Sequence, residues 1–361
     1  MITVKKDKIL KLRKLSWIIN NECNLGCIHC YPNSDACKKR LLSKAELGKI
    51  YDGLKNVRFD KVFLSGGEPL LDSQLVEHIN IARKISNHIC VCTNGTLLTA
   101  DIVTRLIVAG VKGVVISLHA VDDEICTKIY GSKNVMQSVI SALKLVLNQD
   151  IEVSVEMTIM RQNSHIILDY IKHLKSLGVK SFSFKRLMPV GRATCSDIAL
   201  TPEENYKVLQ QIFSESLANY DVSINVHDPL YGIIVSEHFR SRTDVKNHDR
   251  LMTGYSCRAG TRWIGINPKG DVSPCPLMLY QGISIGNIND KPLKEIIDNS
   301  ELMKKFKSKE ESSYACSKCR FRQYCSGCKV ASYANANEMF SKDPMCPFAD
   351  EHLACKQKEG A

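Results

Sequence analysis

The stretch 15-LSWIINNECNLGCIHC-30 decides how the rest of the chain is read. Its first six residues, Leu15–Asn20, are the apolar run of a strand. Its last eight hold Cys23, Cys27 and Cys30, with three and then two residues between them. Thiolates select zinc or iron–sulfur iron. Three of them in one tight loop leave a tetrahedral zinc, or a four-cornered cluster, one ligand short. From these residues alone two readings stand. One is a structural zinc whose fourth ligand is Cys37 or His29; the other is a cluster with one corner open to an exogenous molecule, as at a catalytic zinc.

Further strands follow at regular intervals: 61-KVFLS-65, 88-HICVCT-93, 113-GVVISLH-119, 152-EVSVEMTIM-160 and 181-SFSFKR-186. The fifth alternates Val153, Val155, Met157 and Ile159 with period two. Helical stripes lie between them, with Leu47, Ile50 and Leu54 on one face, and Met136, Val139, Ile140, Leu143, Val146 and Leu147 on another. Strands joined by helical crossovers make a parallel sheet, whose ligands gather at the C-terminal strand ends. The segments 23-CNLGCIHC-30, 65-SGGEP-69, 93-TNGT-96, 117-SLHA-120 and 186-RLMPVG-191 each come just after a strand. The expected fold is α/β, a partial (β/α)6 TIM-like barrel with all five segments at one mouth. The expected division is a core barrel over 1–195, a bridging helical segment over 196–251 and a cysteine-rich domain over 252–361. In the bridge, Thr201 is the expected N-cap and Pro202 the first helical residue.

The chain has 361 residues, 44% hydrophobic content and a formal charge of +11. No apolar run approaches the ~18–20 residues of a membrane span. The basic N-terminus lacks the apolar core of a secretory signal, so a cytoplasmic protein is expected. Sixteen cysteines in such a protein point to metal or redox chemistry. The charge suits an acidic partner such as a polycarboxylate, an acidic peptide or an acidic electron donor. No basic tract is interleaved with aromatics, which argues against nucleic acid.

CxxxCxxC on the first strand, followed by GGEP, resembles the radical S-adenosylmethionine (SAM) superfamily. The resemblance covers the first 190 residues. It implies that Cys23, Cys27 and Cys30 hold a [4Fe-4S] cluster whose fourth iron is chelated by SAM. Reductive cleavage of SAM would yield a 5′-deoxyadenosyl radical that abstracts a hydrogen atom, in an anaerobic setting. It further implies a cofactor-binding role for His29, where relatives commonly carry an aromatic. Gly66 and Gly67 would approach the SAM methionine, Glu68 would take its ammonium, and Pro69 would fix the turn. Asn94 and Ser117 would contact its carboxylate and ribose, Arg161 its carboxylate, and Met188 its adenine through the backbone. Relatives often carry Asp where this chain has His119, for which a structural role competes with a ribose contact.

The tail carries Cys257, Gly270 and Cys275, then Cys316, Cys319, Cys325 and Cys328, then Cys346. A zinc ribbon would use four of the seven cysteines. The whole pattern resembles the SPASM auxiliary-cluster domain, with a last gap one residue shorter than the usual CX2CX5CX3C. The resemblance assigns Cys316, Cys319, Cys325 and Cys346 to one [4Fe-4S] cluster, and Cys257, Cys275 and Cys328 to another. The fourth position of the second set is open, or filled by substrate, by a spare such as Cys355, or by a non-cysteine residue. Cys37, Cys90, Cys92, Cys126 and Cys195 are expected to be small buried hydrophobes.

SPASM enzymes modify peptides, proteins or tetrapyrroles. Peptide or protein maturation is the leading reading. The alternative is propionate chemistry on a tetrapyrrole, suggested by 325-CSGCKVASYANANEMFSKDPMCPF-348 and the basic charge; a zinc-stapled non-catalytic binding protein is the third. Only 22 residues precede Cys23, fewer than the leader-binding winged helix of many peptide maturases needs, so a separate peptide-binding adaptor is expected if the substrate is a peptide. A flavodoxin- or ferredoxin-type protein would donate the electron. Pro276 follows the second tail cysteine, where sulfatase-maturating relatives carry Asp, and no general base is assigned.

Overall fold

The structure, a computed structural model, describes residues 10–34, 42–194, 196–239, 256–307, 316 and 319–348. Cys37, Cys195 and Cys355 lie outside these residues.

Seven parallel strands run in chain order: β1 (Leu10–Ile18), β2 (Val57–Ser65), β3 (Ile89–Thr93), β4 (Gly113–Ser117), β5 (Glu152–Ile159), β6 (Ser181–Arg186) and β7 (Ser223–His227). All six expected strands are present. Helices α1 (Lys44–Leu54), α2 (Leu75–Arg83), α3 (Ala100–Ala109), α4 (Asp123–Tyr130), α5 (Val135–Leu147) and α6 (Ile167–Ser176) form the crossovers. The local signals are consistent. Thr99 and Asp122 cap α3 and α4 through their side chains. Gly110 and Gly131 end them in the left-handed conformation.

The bridging segment is helical only in part. Its helix α7 (Pro202–Ala218) starts as expected, with Thr201 and Glu204 closing a capping box. It then contributes β7, which pairs in parallel with β6, and α8 (Tyr231–Phe239). The cysteine-rich segment also joins the sheet. Its β8 (Trp263–Ile266) pairs with β1, followed by antiparallel β9 (Asp271–Ser273) and β10 (Gly286–Asn287). The sheet therefore continues across both expected boundaries, in the order β10-β9-β8-β1-β2-β3-β4-β5-β6-β7.

In a flat sheet β7 and β8 would stand seven strands, about 34 Å, apart. Yet the rings of His227 in β7 and Trp263 in β8 lie 5.9 Å apart. The sheet is rolled into a nearly closed barrel, and these two rings span the gap. Alternation along each strand then divides its residues. Leu15, Trp17, Val62, Leu64, Val91, Val114, Ile116, Val155, Met157, Phe182 and Phe184 face the helices and form the main core. The other set faces the lumen, and the register aligns it from strand to strand. Trp263, Lys14 and Lys61 pair in one row; Ser117, Glu156, Ser183 and Asn225 in a second; Thr158, Lys185 and His227 in a third. The lumen is thus lined largely by polar and charged side chains inside an apolar shell.

Candidate functional site: a cysteine loop at the barrel mouth facing a cysteine-rich domain

The Cys23–Cys30 loop is held on three sides. The first brace is the SGGEP segment after β2. Asn20 donates through Nδ2 to the Glu68 carbonyl at 2.9 Å, and its Oδ1 accepts from Gly67 N–H at 3.1 Å. A β-carbon on Gly66 would lie 2.3 Å from Asn20 Oδ1, and one on Gly67 2.1 Å from the Glu22 carbonyl oxygen. The missing side chains thus make room for the chain's own approach to Cys23.

The second brace is the TNGT segment after β3. Asn94 Nδ2 donates to Asn24 Oδ1 at 2.8 Å and lies 3.9 Å from the Cys23 sulfur. Asn24 in turn donates to Thr96 Oγ1 at 2.9 Å. Glu68 ties the two braces together. Its carboxylate accepts from Thr93 Oγ1 at 2.7 Å, Asn94 N–H at 2.7 Å and Leu70 N–H at 3.0 Å. It is fully buried, and burial outweighs these donors enough to push its pKa up to about 6. The carboxylate is thus held by three donors of its own chain. Pro69 begins a short 3-10 turn that Glu68 caps, as its turn-fixing role requires.

The third brace was not anticipated. Arg192, just after 186-RLMPVG-191, donates through Nε to the Cys27 carbonyl at 2.8 Å. Its Nη1 reaches the Ser34 carbonyl at 2.9 Å and Asn33 Oδ1 at 3.2 Å. Its backbone N–H donates to the Cys30 carbonyl at 3.0 Å. Gly191, at φ +66°, lets this segment approach; a β-carbon there would lie 2.4 Å from the Tyr31 carbonyl oxygen. The sequence signal was a Gly-Arg pair directly after a strand, inside a segment already singled out.

Burial and then Cys30 and Cys23 push Cys27 up to about 12; burial also raises Cys23. A bound cation is what such a set lacks, because ligation deprotonates thiols outright.

The other expected contacts separate into two groups. Ser117 ends β4 at the mouth, and its carbonyl accepts from Tyr130 Oη at 3.1 Å. Met188 lies in a satellite apolar cluster with Tyr31, Met278, Cys257, Cys275 and Cys328. Arg161, by contrast, turns away. Its Nη2 donates to the Ala199 carbonyl at 2.9 Å and its Nη1 pairs with Glu204 at 3.4 Å, so the cation is drawn to the start of α7. His29 packs edge-on against His119, ring centroids 4.2 Å apart. Burial, and then Arg192, hold His29 down at about 4. His119 is structural: its Nδ1 accepts from Thr158 N–H at 3.1 Å, which leaves the ring neutral with its proton on Nε2.

In the tail, Cys316, Cys319, Cys325 and Cys346 line one small pocket together with Leu230, Ile233, Gly327, Asp343 and Phe348. Four thiols around a void suit a polynuclear cluster. Cys257, Cys275 and Cys328 gather separately: after burial, Cys328 and Cys257 raise Cys275, and Cys257 raises Cys328 against the pull of Arg186. The shortened gap before Cys328 does not keep it from this set. Tyr31, next to Cys30 in the loop, packs in the cluster of Cys257, Cys275 and Cys328; after burial, Glu156, Cys92, Cys30 and Cys275 all oppose its ionisation. Its ring meets Tyr280 edge-on at 5.2 Å. Cys90 and Cys126 are buried, and Cys92 is half-buried facing the lumen. Among the described residues no helix is long and apolar enough to cross a membrane.

Residues 17–174 match the radical SAM superfamily, and residues 257–328 match SPASM, an iron-sulfur cluster-binding domain. The chain is a radical SAM/SPASM enzyme, with SAM and [4Fe-4S] clusters as its cofactors. Within that class it is similar to the AdoMet-dependent heme synthase of Methanosarcina barkeri, 25% identical over 92% of this chain and 96% of that one. It is also similar to mycofactocin maturase MftC of Mycolicibacterium smegmatis, 26% identical over 92% of this chain and 82% of that one. Streptococcus suis SuiB bound to S-adenosylmethionine shares the fold, with a TM-score of 0.72 at 17% identity over 94% of this chain and 78% of that one.

Proposed function

We propose that the protein abstracts a hydrogen atom from a peptide substrate held at the barrel mouth. The carrying observation is that Tyr31, next to Cys30 of the barrel loop, packs with Cys257, Cys275 and Cys328 of the tail, which brings the two cysteine sets together. Cys23, Cys27 and Cys30 would hold a [4Fe-4S] cluster that, with SAM bound and an electron from a flavodoxin- or ferredoxin-type donor in the cytoplasm, would supply the radical chemistry for the abstraction. The chain's part is to orient and shield. Asn20, Asn94 and Arg192 hold the loop, and Asn94 and Ser117 present polar groups at the mouth. Tyr31 and Tyr280 wall it toward the tail. The maturase relative supports a peptide substrate, brought by a separate adaptor protein. A tetrapyrrole propionate is the second reading, favoured by the heme synthase relative matched over 96% of its length.

Anaerobic reconstitution followed by dithionite and SAM tests the core of this reading. The protein should release 5′-deoxyadenosine, and a Cys23/Cys27/Cys30→Ala triple variant should not. Iron should reach about eight per chain with one tail cluster and about twelve with two, at four per cluster. A colourless protein holding zinc, or equal release from both proteins, would overturn it. Stimulation of release by a peptide or by a porphyrin carrying propionates separates the two substrates.

A further inference from the structure

We propose that the barrel lumen is a carboxylate-binding site, with Lys14 as the cation that meets the anion, and that it anchors a carboxylate of the substrate. The proposal rests on the radical reading above, since it deepens what that site accepts.

Three observations carry it. First, the lumen gathers basic groups. Lys14 and Lys61 are register partners, and Lys185 and His227 are register partners on the far wall. Arg258 comes from the tail; it, Lys61 and Lys185 are the cations that face Lys14. His227 is kept neutral, held well below its usual range by burial and then by Lys185, Arg258 and Lys14.

Second, the acids in the lumen are assigned elsewhere. Glu156 pairs with Lys185 at 2.7 Å, and the largely exposed Glu152 pairs with Lys61 at 3.6 Å and His88 at 3.2 Å. Among the described residues no carboxylate lies within ion-pair distance of Lys14. Its ammonium instead faces the rings of Trp263 at 5.3 Å and Phe63 at 5.6 Å. Such contacts offset only part of the cost of desolvating an ammonium. Burial and its cationic neighbours accordingly lower Lys14 to about 8. A fold that spends stability on a half-buried, uncompensated cation has a use for an anion beside it.

Third, the lumen is open. Lys185 lies between strands, yet 35% of its side-chain surface is accessible. Lys14 stands four residues before the end of β1, on the order of 13 Å below the mouth. A carboxylate on an apolar stem fits this shape: the stem passes Glu156 and Lys185, lies along Phe63 and Trp263, and ends at Lys14. Its C–H bonds are left at the mouth, beside the Cys23 loop. A peptide carboxylate and a porphyrin propionate share this chemistry.

The test is amine labelling of the reconstituted, unmodified holoenzyme with acetic anhydride, read by mass spectrometry as the rate at Lys14 relative to exposed Lys144. Four probes are compared: a porphyrin with four free propionates, its tetramethyl ester, a peptide with a free C-terminal carboxylate, and the same peptide as its amide. One free acid should slow Lys14 labelling about ten-fold when present at ten times its Kd, while its ester or amide should not. Which acid protects identifies the source. Unchanged labelling with both acids, or equal protection by ester or amide, overturns the proposal. Lys14→Met should raise the concentration of the protecting acid needed for half-maximal turnover, and Lys14→Arg should restore it. The labelling needs no SAM, so its failure is distinct from a failure to release 5′-deoxyadenosine.

Discussion

Arg192 shows how much one side chain holds at the cysteine loop. It makes three side-chain hydrogen bonds to residues 27–34, to two carbonyls and the Asn33 side-chain oxygen, and a fourth through its backbone. Hydrogen bonds to a charged group contribute roughly 1.5–3 kcal/mol each where they are sheltered, and less where water competes. Arg192→Met should therefore cost about 2 kcal/mol in urea unfolding. More specifically, it should speed iron loss to a chelator from the first cluster and leave the tail iron in place. Arg192→Lys should rescue little, because a single ammonium cannot span the Cys27 and Ser34 carbonyls in a fixed fork. Equal chelation rates in wild type and Arg192→Met would show that the loop is held by SGGEP and TNGT alone. Arg192 was hidden in the sequence because an arginine after a strand has no spacing signature; Cys23, Cys27 and Cys30 had one. The partners of Glu68 and Arg161 were hidden for a related reason. Asn94 N–H and Glu204 at the start of α7 are 26 and 43 residues away in the chain.

At the scale of elements, the glycines of SGGEP set how closely β2's end can approach β1's. Gly67→Ala places a methyl 2.1 Å from the Glu22 carbonyl oxygen, so backbone must move. Such overpacking costs about 1–3 kcal/mol. The displaced segment also carries Cys23, so the variant should bind iron poorly at the first cluster. Gly48 is the matched control. It is exposed within α1 and a methyl there meets nothing within 4 Å. Gly48→Ala should raise stability by about 0.5–1 kcal/mol. Urea unfolding of the two apo variants, with iron counts after reconstitution, checks both signs. The strands themselves were legible because their helix-facing residues alternate, as Val155, Met157 and Ile159 do. The strand β7 was not: 223-SINVH-227 is five residues long with only Ile224 and Val226 apolar, too short for a period to register. Nor was the rolling of the sheet, which depends on the His227–Trp263 contact between residues 36 apart in the chain.

Across the whole molecule, the barrel and the cysteine-rich domain are joined by a buried ion cluster that no local pattern announces. Arg186, at the end of β6, donates through Nη1 and Nη2 to Asp343 Oδ2 at 3.1 and 3.0 Å, and approaches Asp228 at 3.5 Å. All three are buried. Asp343 also accepts from Cys328 N–H at 2.7 Å and from Met345 N–H at 3.0 Å, and it lines the cavity of Cys316, Cys319, Cys325 and Cys346. Asp343 therefore ties both tail cysteine sets to the barrel, Cys328 through its carboxylate and Cys346 through its backbone carbonyl, which accepts from Cys346 N–H at 3.0 Å. Asp228 is itself held by Asn205 from α7 at 3.0 Å, so the bridging segment contributes to the same joint. Breaking a buried pair by removing one partner costs about 3–5 kcal/mol, because the remaining charge stays buried. Asp343→Asn keeps the shape and loses the charge, so the loss should fall toward the lower end, and Arg186 should retain Asp228. The expected result is a protein that folds and keeps the first cluster but loses tail iron, dropping to about four per chain. Asp343→Ala should unfold at lower urea still. A variant with full iron and unchanged stability would mean that the cysteine-rich domain docks through β8 pairing on β1 without help from this joint.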